Sequence, residues 1–310
     1  MRGREQAHHI KIKMEQSKNW YDKNYKLLLV IPLVLLLSSI VYMGIFYSNN
    51  QDFLYKDISL TGGISITIFG EINYLDLEQF LSEKLQEVNT REISDLITRE
   101  QKAVIIEIKT EGCNELEVKQ TKTILEDYLG YELVDGDNSS FECTGSSLSE
   151  SFYKQLLIAI LFAFFFMAIV VFIIFRTFVP STAVILSALA DILMTLTLIN
   201  LFGMKMSSAG IIALLMLIGY SVDTDILLTT RMLKRYEGSL NKRILGAFKT
   251  GITMTLTSLL AIVMALLVVK SFSPVLTQIF TILSIGLGFD ILNTWITNAS
   301  ILKWYMEKKK

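Results

Sequence analysis

The chain has 310 residues, of which 52% are hydrophobic, with a formal net charge of −1 and a mean hydropathy of +0.46. Such apolarity exceeds that of an average soluble domain and makes a bilayer the first solvent to consider. No HExxH pair or glycine-rich phosphate loop is present and the apolar runs hold no histidine, so enzymatic activity is not expected, nor is nucleic acid or a cofactor.

In chain order, residues 1–25 read as a cytoplasmic tail, and His8 and His9 within it lack any metal-ligand spacing. The first apolar run, Leu27–Tyr47, is long enough to cross about 30 Å of hydrocarbon as a helix. It ends in Tyr-Ser-Asn-Asn without a small-x-small cleavage pattern, which predicts a retained anchor over 26–48. Apolarity then gives way to alternation over 49–152, the size of an independent α+β domain.

The spacing in this domain predicts the order βαββαβ of a ferredoxin-like unit. The expected elements are a strand at Gly63–Phe69, a helix at Tyr74–Val88, strands at Arg91–Thr98 and Ala103–Lys109, a helix at Asn114–Leu129, and a closing strand region at Tyr131–Val134 plus Phe141. Five further apolar runs follow within 153–303, at Gln155–Phe175, Pro180–Phe202, Ser207–Thr229, Ala247–Val269 and Pro274–Thr297, before a basic end at 304–310. The fold class expected is thus a polytopic protein of six transmembrane helices with one extracytoplasmic α+β domain between the first two.

Charge is distributed unevenly. Segment 51–150 holds 21 acidic against 8 basic residues, a net of −13, while the remainder carries +12. Basic residues before the first run, at Arg176, at Arg231–Arg243 and at the end all fall on one side of a six-span topology. The positive-inside rule then places both termini in the cytoplasm and the acidic domain outside. Outside, Cys113 and Cys143 meet conditions that permit a bridge, although two cysteines are equally compatible with unpaired thiols.

Ionisable side chains inside a span are costly and therefore mark candidate sites. Asp191, Asp223, Asp225, Lys249 and Asp290 are the five here. Residues four apart share a helix face, so Ser187-Asp191-Thr195, Ser221-Asp225-Thr229, Lys249-Thr253-Thr257 and Gly286-Asp290-Thr294 form four polar stripes. The expected arrangement turns all four inward. Counting along the spans puts Asp191 nearest the middle and the others in the cytoplasmic third, where Lys249 either pairs with a carboxylate or extends to the surface. Asp223 and Asp225 lie about 200° apart around their helix, so they cannot share a face. Asp225 continues a stripe, whereas Asp223 shares its side with Gly219, where a neighbouring helix has room to approach.

The run Asp57-Ile-Ser-Leu-Thr61-Gly62-Gly63 after the first span, Gly219-Tyr220-Ser221-Val-Asp223-Thr-Asp225 with Arg231 in the fourth, Ala190-Asp191 in the third and Lys249-Thr-Gly-Ile-Thr-Met-Thr255 in the fifth together resemble the SecF family. That family forms the SecD–SecF complex within the resistance-nodulation-division superfamily, and the archaeal form is the most similar. The resemblance runs from Lys26 to the end of the chain. It implies a SecD-type partner beside a SecY-type channel, an exported polypeptide as client, and use of the proton-motive force. Bacterial relatives usually carry Asn-Asp-Thr at Asp223-Thr224-Asp225 and an arginine at Lys249, so the family's key aspartate corresponds to either Asp223 or Asp225. A small-molecule or lipid exporter of the same superfamily is the alternative, although six spans and one small outer domain are short for it.

Overall fold

In a computed structural model, the structure describes residues 20–309 apart from 86, 96–97, 99, 111–113, 235–239 and 271–272. His8, His9, Cys113 and Arg235 lie outside the described residues. Six helices are long and apolar enough to cross a membrane: α1 (Asn24–Asn50), α5 (Ser146–Phe175), α6 (Phe178–Leu201), α7 (Ser208–Lys234), α8 (Leu240–Val269) and α9 (Pro274–Lys308). Between α1 and α5 come a short helix α2 (Ile58–Thr61), strand β1 (Gly63–Phe69), helix α3 (Tyr74–Lys84), strands β2 (Val88–Ser94) and β3 (Gln101–Ile108), helix α4 (Glu115–Leu129) and strand β4 (Ser139–Thr144).

The four strands form one antiparallel sheet in the order β2-β3-β1-β4. β1 and β2 thus run parallel with β3 between them, as in a split βαβ unit. Period-two alternation supplies the core: Ile64, Ile66 and Ile68 of β1 and Val104, Ile106 and Ile108 of β3 are buried with Leu77, Leu81, Leu125 and Leu133. Asn73 caps α3 by accepting from the backbone of Leu75 and Asp76, and Gly130, in the left-handed region, ends α4. Cys143 on β4 is disulfide-bonded.

Several expected boundaries are corrected. Helix α3 stops at Lys84 because Leu85 is extended, and Val88 belongs to β2, paired with Ile108. β2 ends at Ser94, where its register with β3 shifts. Tyr131–Val134 is not a strand. Leu133 alone reaches the core, and the Asn138 side chain accepts from the Val134 amide at 2.7 Å and donates to the Glu132 carbonyl at 2.8 Å, closing a turn from which β4 starts at Ser139.

Within the membrane part, α6 and α7 are central. Their most apolar segments are 61% and 56% buried, against 6% for α5 and 11% for α8, which therefore present most of their surface outward. α5 begins nine residues before the expected span: in its first turns Ser149 and Tyr153 are buried, and the Tyr153 hydroxyl donates to Asp52 at 2.7 Å.

Candidate functional site

Asp191, Asp225 and Asp290 are fully buried, on α6, α7 and α9. A helix buried on most sides needs its polar groups satisfied by neighbouring helices, and here side chains of the same three helices do so. Ser221 donates to Asp191 Oδ2 at 2.5 Å and Asn293 to Asp191 Oδ1 at 2.7 Å. Thr224 and Thr294 donate to Asp290, both at 3.1 Å. Asn298 donates to Asp225 Oδ1 at 2.8 Å. Asp225 Oδ2 meets no donor within hydrogen-bond reach among the described residues, although Ser187 and Thr294 lie beside it.

Asn293 and Asn298 bound a π-helical segment of α9. In an α-helix residues five apart point about 140° away from each other, whereas a π turn closes i→i+5 and brings them toward one face. Both amides can thereby serve one cluster. Neither belongs to the four polar stripes expected from the sequence. The available signal was an asparagine pair flanking Thr294 and Thr297 within an apolar span.

Three of the four polar stripes lie inside: Ser187-Asp191-Thr195, Ser221-Asp225-Thr229 and Gly286-Asp290-Thr294. Gly286 serves packing there, since a Cβ would come within 2.3 Å of Leu217. The fourth stripe is a correction. Lys249, Thr253 and Thr257 are exposed on the outer side of α8, and Ala247, Gly251 and Thr255 take the inner side. Steric demand explains the rotation: a Cβ at position 251 would lie 2.3 Å from the Trp295 ring, so the small-residue face has to meet α9. Lys249 therefore makes no ion pair with the three aspartates.

Asp223 is exposed on α7 beside the exposed Gly219 and Tyr220. Against expectation, no described residue comes within 4 Å of where a Cβ at Gly219 would point, so the position faces open space. Arg231 donates to the Gly246 carbonyl and, at 2.9 Å, to Thr250 Oγ1, tying the ends of α7 and α8 together.

The Asp57–Gly63 run forms the joint between the α+β domain and the bundle. Asp57 Oδ1 caps α2 by accepting from the Ile58 amide at 2.6 Å, and the Thr61 hydroxyl donates to the Asp57 carbonyl at 3.2 Å. The Asp57 amide donates to the Met206 carbonyl at 2.9 Å and the Met206 amide to the Tyr55 carbonyl at 2.6 Å, a parallel bridge to the turn between α6 and α7. Ser59 accepts from the Ser208 amide at 3.1 Å, and Gln278 of α9 donates to the Lys205 carbonyl at 2.6 Å. Gly62, at φ +86°, lies so close to the start of α5 that a Cβ would stand 2.6 Å from the Ser146 backbone. Above the joint, Arg91 pairs with the buried Glu107. Burial lowers the Arg91 guanidinium from its ordinary value and the charge of Asp57 acts in the opposite direction.

The family described as protein export membrane protein SecD/SecF, C-terminal, matches residues 126–308. The chain is 42% identical over 287 residues to the protein-export membrane protein SecF of Methanocaldococcus jannaschii, covering 92% of this chain and 96% of that one. It is 39% identical over 293 residues to SecF of Methanothermobacter thermautotrophicus, covering 92% and 94%. Among solved structures, SecDF of Thermus thermophilus, a translocon-associated membrane protein, superposes with a TM-score of 0.71 at 16% identity, over 92% of this chain and 38% of that longer one. SecDF in a super-membrane-facing form gives a TM-score of 0.59 at 20% identity, again over 38% of its length.

Proposed function

Since the chain belongs to the SecF family, accessory subunits of the Sec protein translocase, we propose that it works with a SecD-type subunit beside a SecY-type channel and couples proton movement to export. The observation that carries the coupling is the network joining Asp191, Asp225 and Asp290 across three helices. Carboxylates taken out of water carry a heavy cost when all are charged. Proton occupancy and helix packing at this cluster therefore depend on each other, and a proton that enters or leaves changes which arrangement of α6, α7 and α9 is favoured. The joint offers a route outward, because the turn between α6 and α7 and Gln278 of α9 both bond into it.

The partner reading rests on the lateral face. Asp223 and Lys249 are exposed on adjacent spanning helices of this chain, and ionisable groups within a bilayer ordinarily face protein or water. A second helical bundle, contributed by a SecD-type subunit, would cover them. Affinity purification in mild detergent is expected to recover a SecD-type protein in about equal amount, and Asp223→Leu with Lys249→Leu to weaken that recovery. Recovery of the chain only as self-associated copies would instead favour a small-molecule exporter.

The positions of the basic residues favour cytoplasmic termini and an outer domain over 49–152, with the exported chain contacting that domain. A cysteine introduced at Lys308 should resist a membrane-impermeant maleimide in intact cells and react after permeabilisation. Reaction in intact cells would reverse the orientation.

A further inference from the structure

A crevice of about 390 Å3 opens between the start of α1 and the end of α9, lined by Tyr25, Lys26, Leu29, Ser300, Ile301 and Trp304. We propose that this crevice binds one anionic phospholipid, its phosphate at Lys26 and its acyl chains against Leu29 and Ile301. The inference is independent of the ion-coupling reading, since none of these residues belongs to the carboxylate network.

The rim is built before any ligand arrives. Ser300 donates to the Tyr25 carbonyl at 3.2 Å, and the Tyr25 hydroxyl donates to Glu307 at 2.7 Å. The Tyr25 ring sits 4.8 Å from the ammonium of Lys303, a buried lysine that also donates to Asn241 at 3.3 Å. These contacts hold the two helix ends at a fixed separation. A polar rim above apolar walls matches the division of a phospholipid at the headgroup boundary. Trp304 marks that level, half-exposed at the helix end with Lys308 over its ring at 4.2 Å, as aromatic and basic residues commonly are where spans leave the hydrocarbon.

Charge selects the headgroup. Lys26 faces the crevice from an exposed position, Lys303 lies behind Tyr25, and Lys308 ends α9 with Lys309 just beyond it. The carboxylate described among them, Glu307, is already engaged by Tyr25. A net positive rim favours a lone phosphate over a headgroup that brings its own ammonium.

Native mass spectrometry of the purified full chain, titrated with phosphatidylglycerol or phosphatidylcholine of matched acyl chains, tests this. One phosphatidylglycerol should bind in preference, and Lys26→Gln should remove about fivefold of that preference, the factor associated with one lysine at an anionic surface. Ile301→Trp should reduce binding of both lipids by filling the crevice, while Lys154→Gln, at a distant exposed site, should change neither. Equal binding of the two lipids by the unmodified chain, an annular lipid only, would overturn the proposal. So would full retention of preference in Lys26→Gln, or displacement of the lipid by glycerol phosphate alone. Should Ile301→Trp fail to fold, Lys26→Gln decides by itself, because its side chain is exposed.

Discussion

Asp191→Asn is expected to remove the gradient-dependent part of export while leaving the protein folded, and Asp225→Asn and Asp290→Asn to do the same. The amide is nearly isosteric with the carboxyl, so packing around α6, α7 and α9 is kept, but a group that can take and release a proton is gone. Loss of a positioned proton-transfer group typically lowers a dependent rate by about a hundredfold or more, and gradient-driven export in a reconstituted system should fall on that scale. Asp191 and Asp290 are the more demanding of the three. Asp191 accepts from both Ser221 and Asn293 and Asp290 from both Thr224 and Thr294, and an amide presents only one acceptor oxygen to two donors. Asp223→Asn serves as the contrast, because its side chain is exposed on α7 and lies outside the network. The assay compares export with and without an ionophore. Full gradient dependence in all three buried variants would sink the coupling proposal.

Gly62→Ala is expected to destabilise the chain by about 3 kcal/mol or more, adding the cost of a positive φ in a residue with Cβ to that of overpacking. At this position the obstacle is the backbone of Ser146 at 2.6 Å, which cannot move aside as a flexible side chain would. Gly136→Ala isolates the cost of the positive φ. Gly136 also has a positive φ, +81°, but its Cβ would meet open space, so that variant should show only conformational strain of about 1 kcal/mol. Thermal unfolding of the two purified variants measures the difference. Equal stability would mean that the contact between Gly62 and α5 does not hold the α+β domain in place. Weakened export by Gly62→Ala at temperatures where it stays folded would add that the joint transmits movement.

Much of this architecture is legible in sequence because simple periods generate it. Alternation marks β1 and β3, since every second residue enters one core between the sheet and its two helices. Spacing by four gathers Asp191, Asp225 and Asp290 with their neighbours, since an α-helix repeats at 3.6 residues. The failures have physical causes as well. Asn293 and Asn298 are invisible to a search at helical period because the backbone between them widens. Lys249-Thr253-Thr257 is a genuine stripe, but a stripe does not say which way its helix turns. That was decided by the opposite side, where Gly251 admits Trp295, a tertiary contact with no signature in a single helix. β4 was displaced from Tyr131–Val134 because the Asn138 side chain closes a turn that spacing alone does not reveal.

The outward position of Asp223 has a consequence for assembly. Exposed on α7 and facing away from its own bundle, it costs up to about 3 kcal/mol if left against hydrocarbon. Covering it in a complex recovers that free energy and favours the assembled form by roughly two orders of magnitude. A partner acts in this respect as a ligand of the folded state. Cellular levels of the chain should then follow the supply of its partner, because unassembled copies leave an ionisable group without cover.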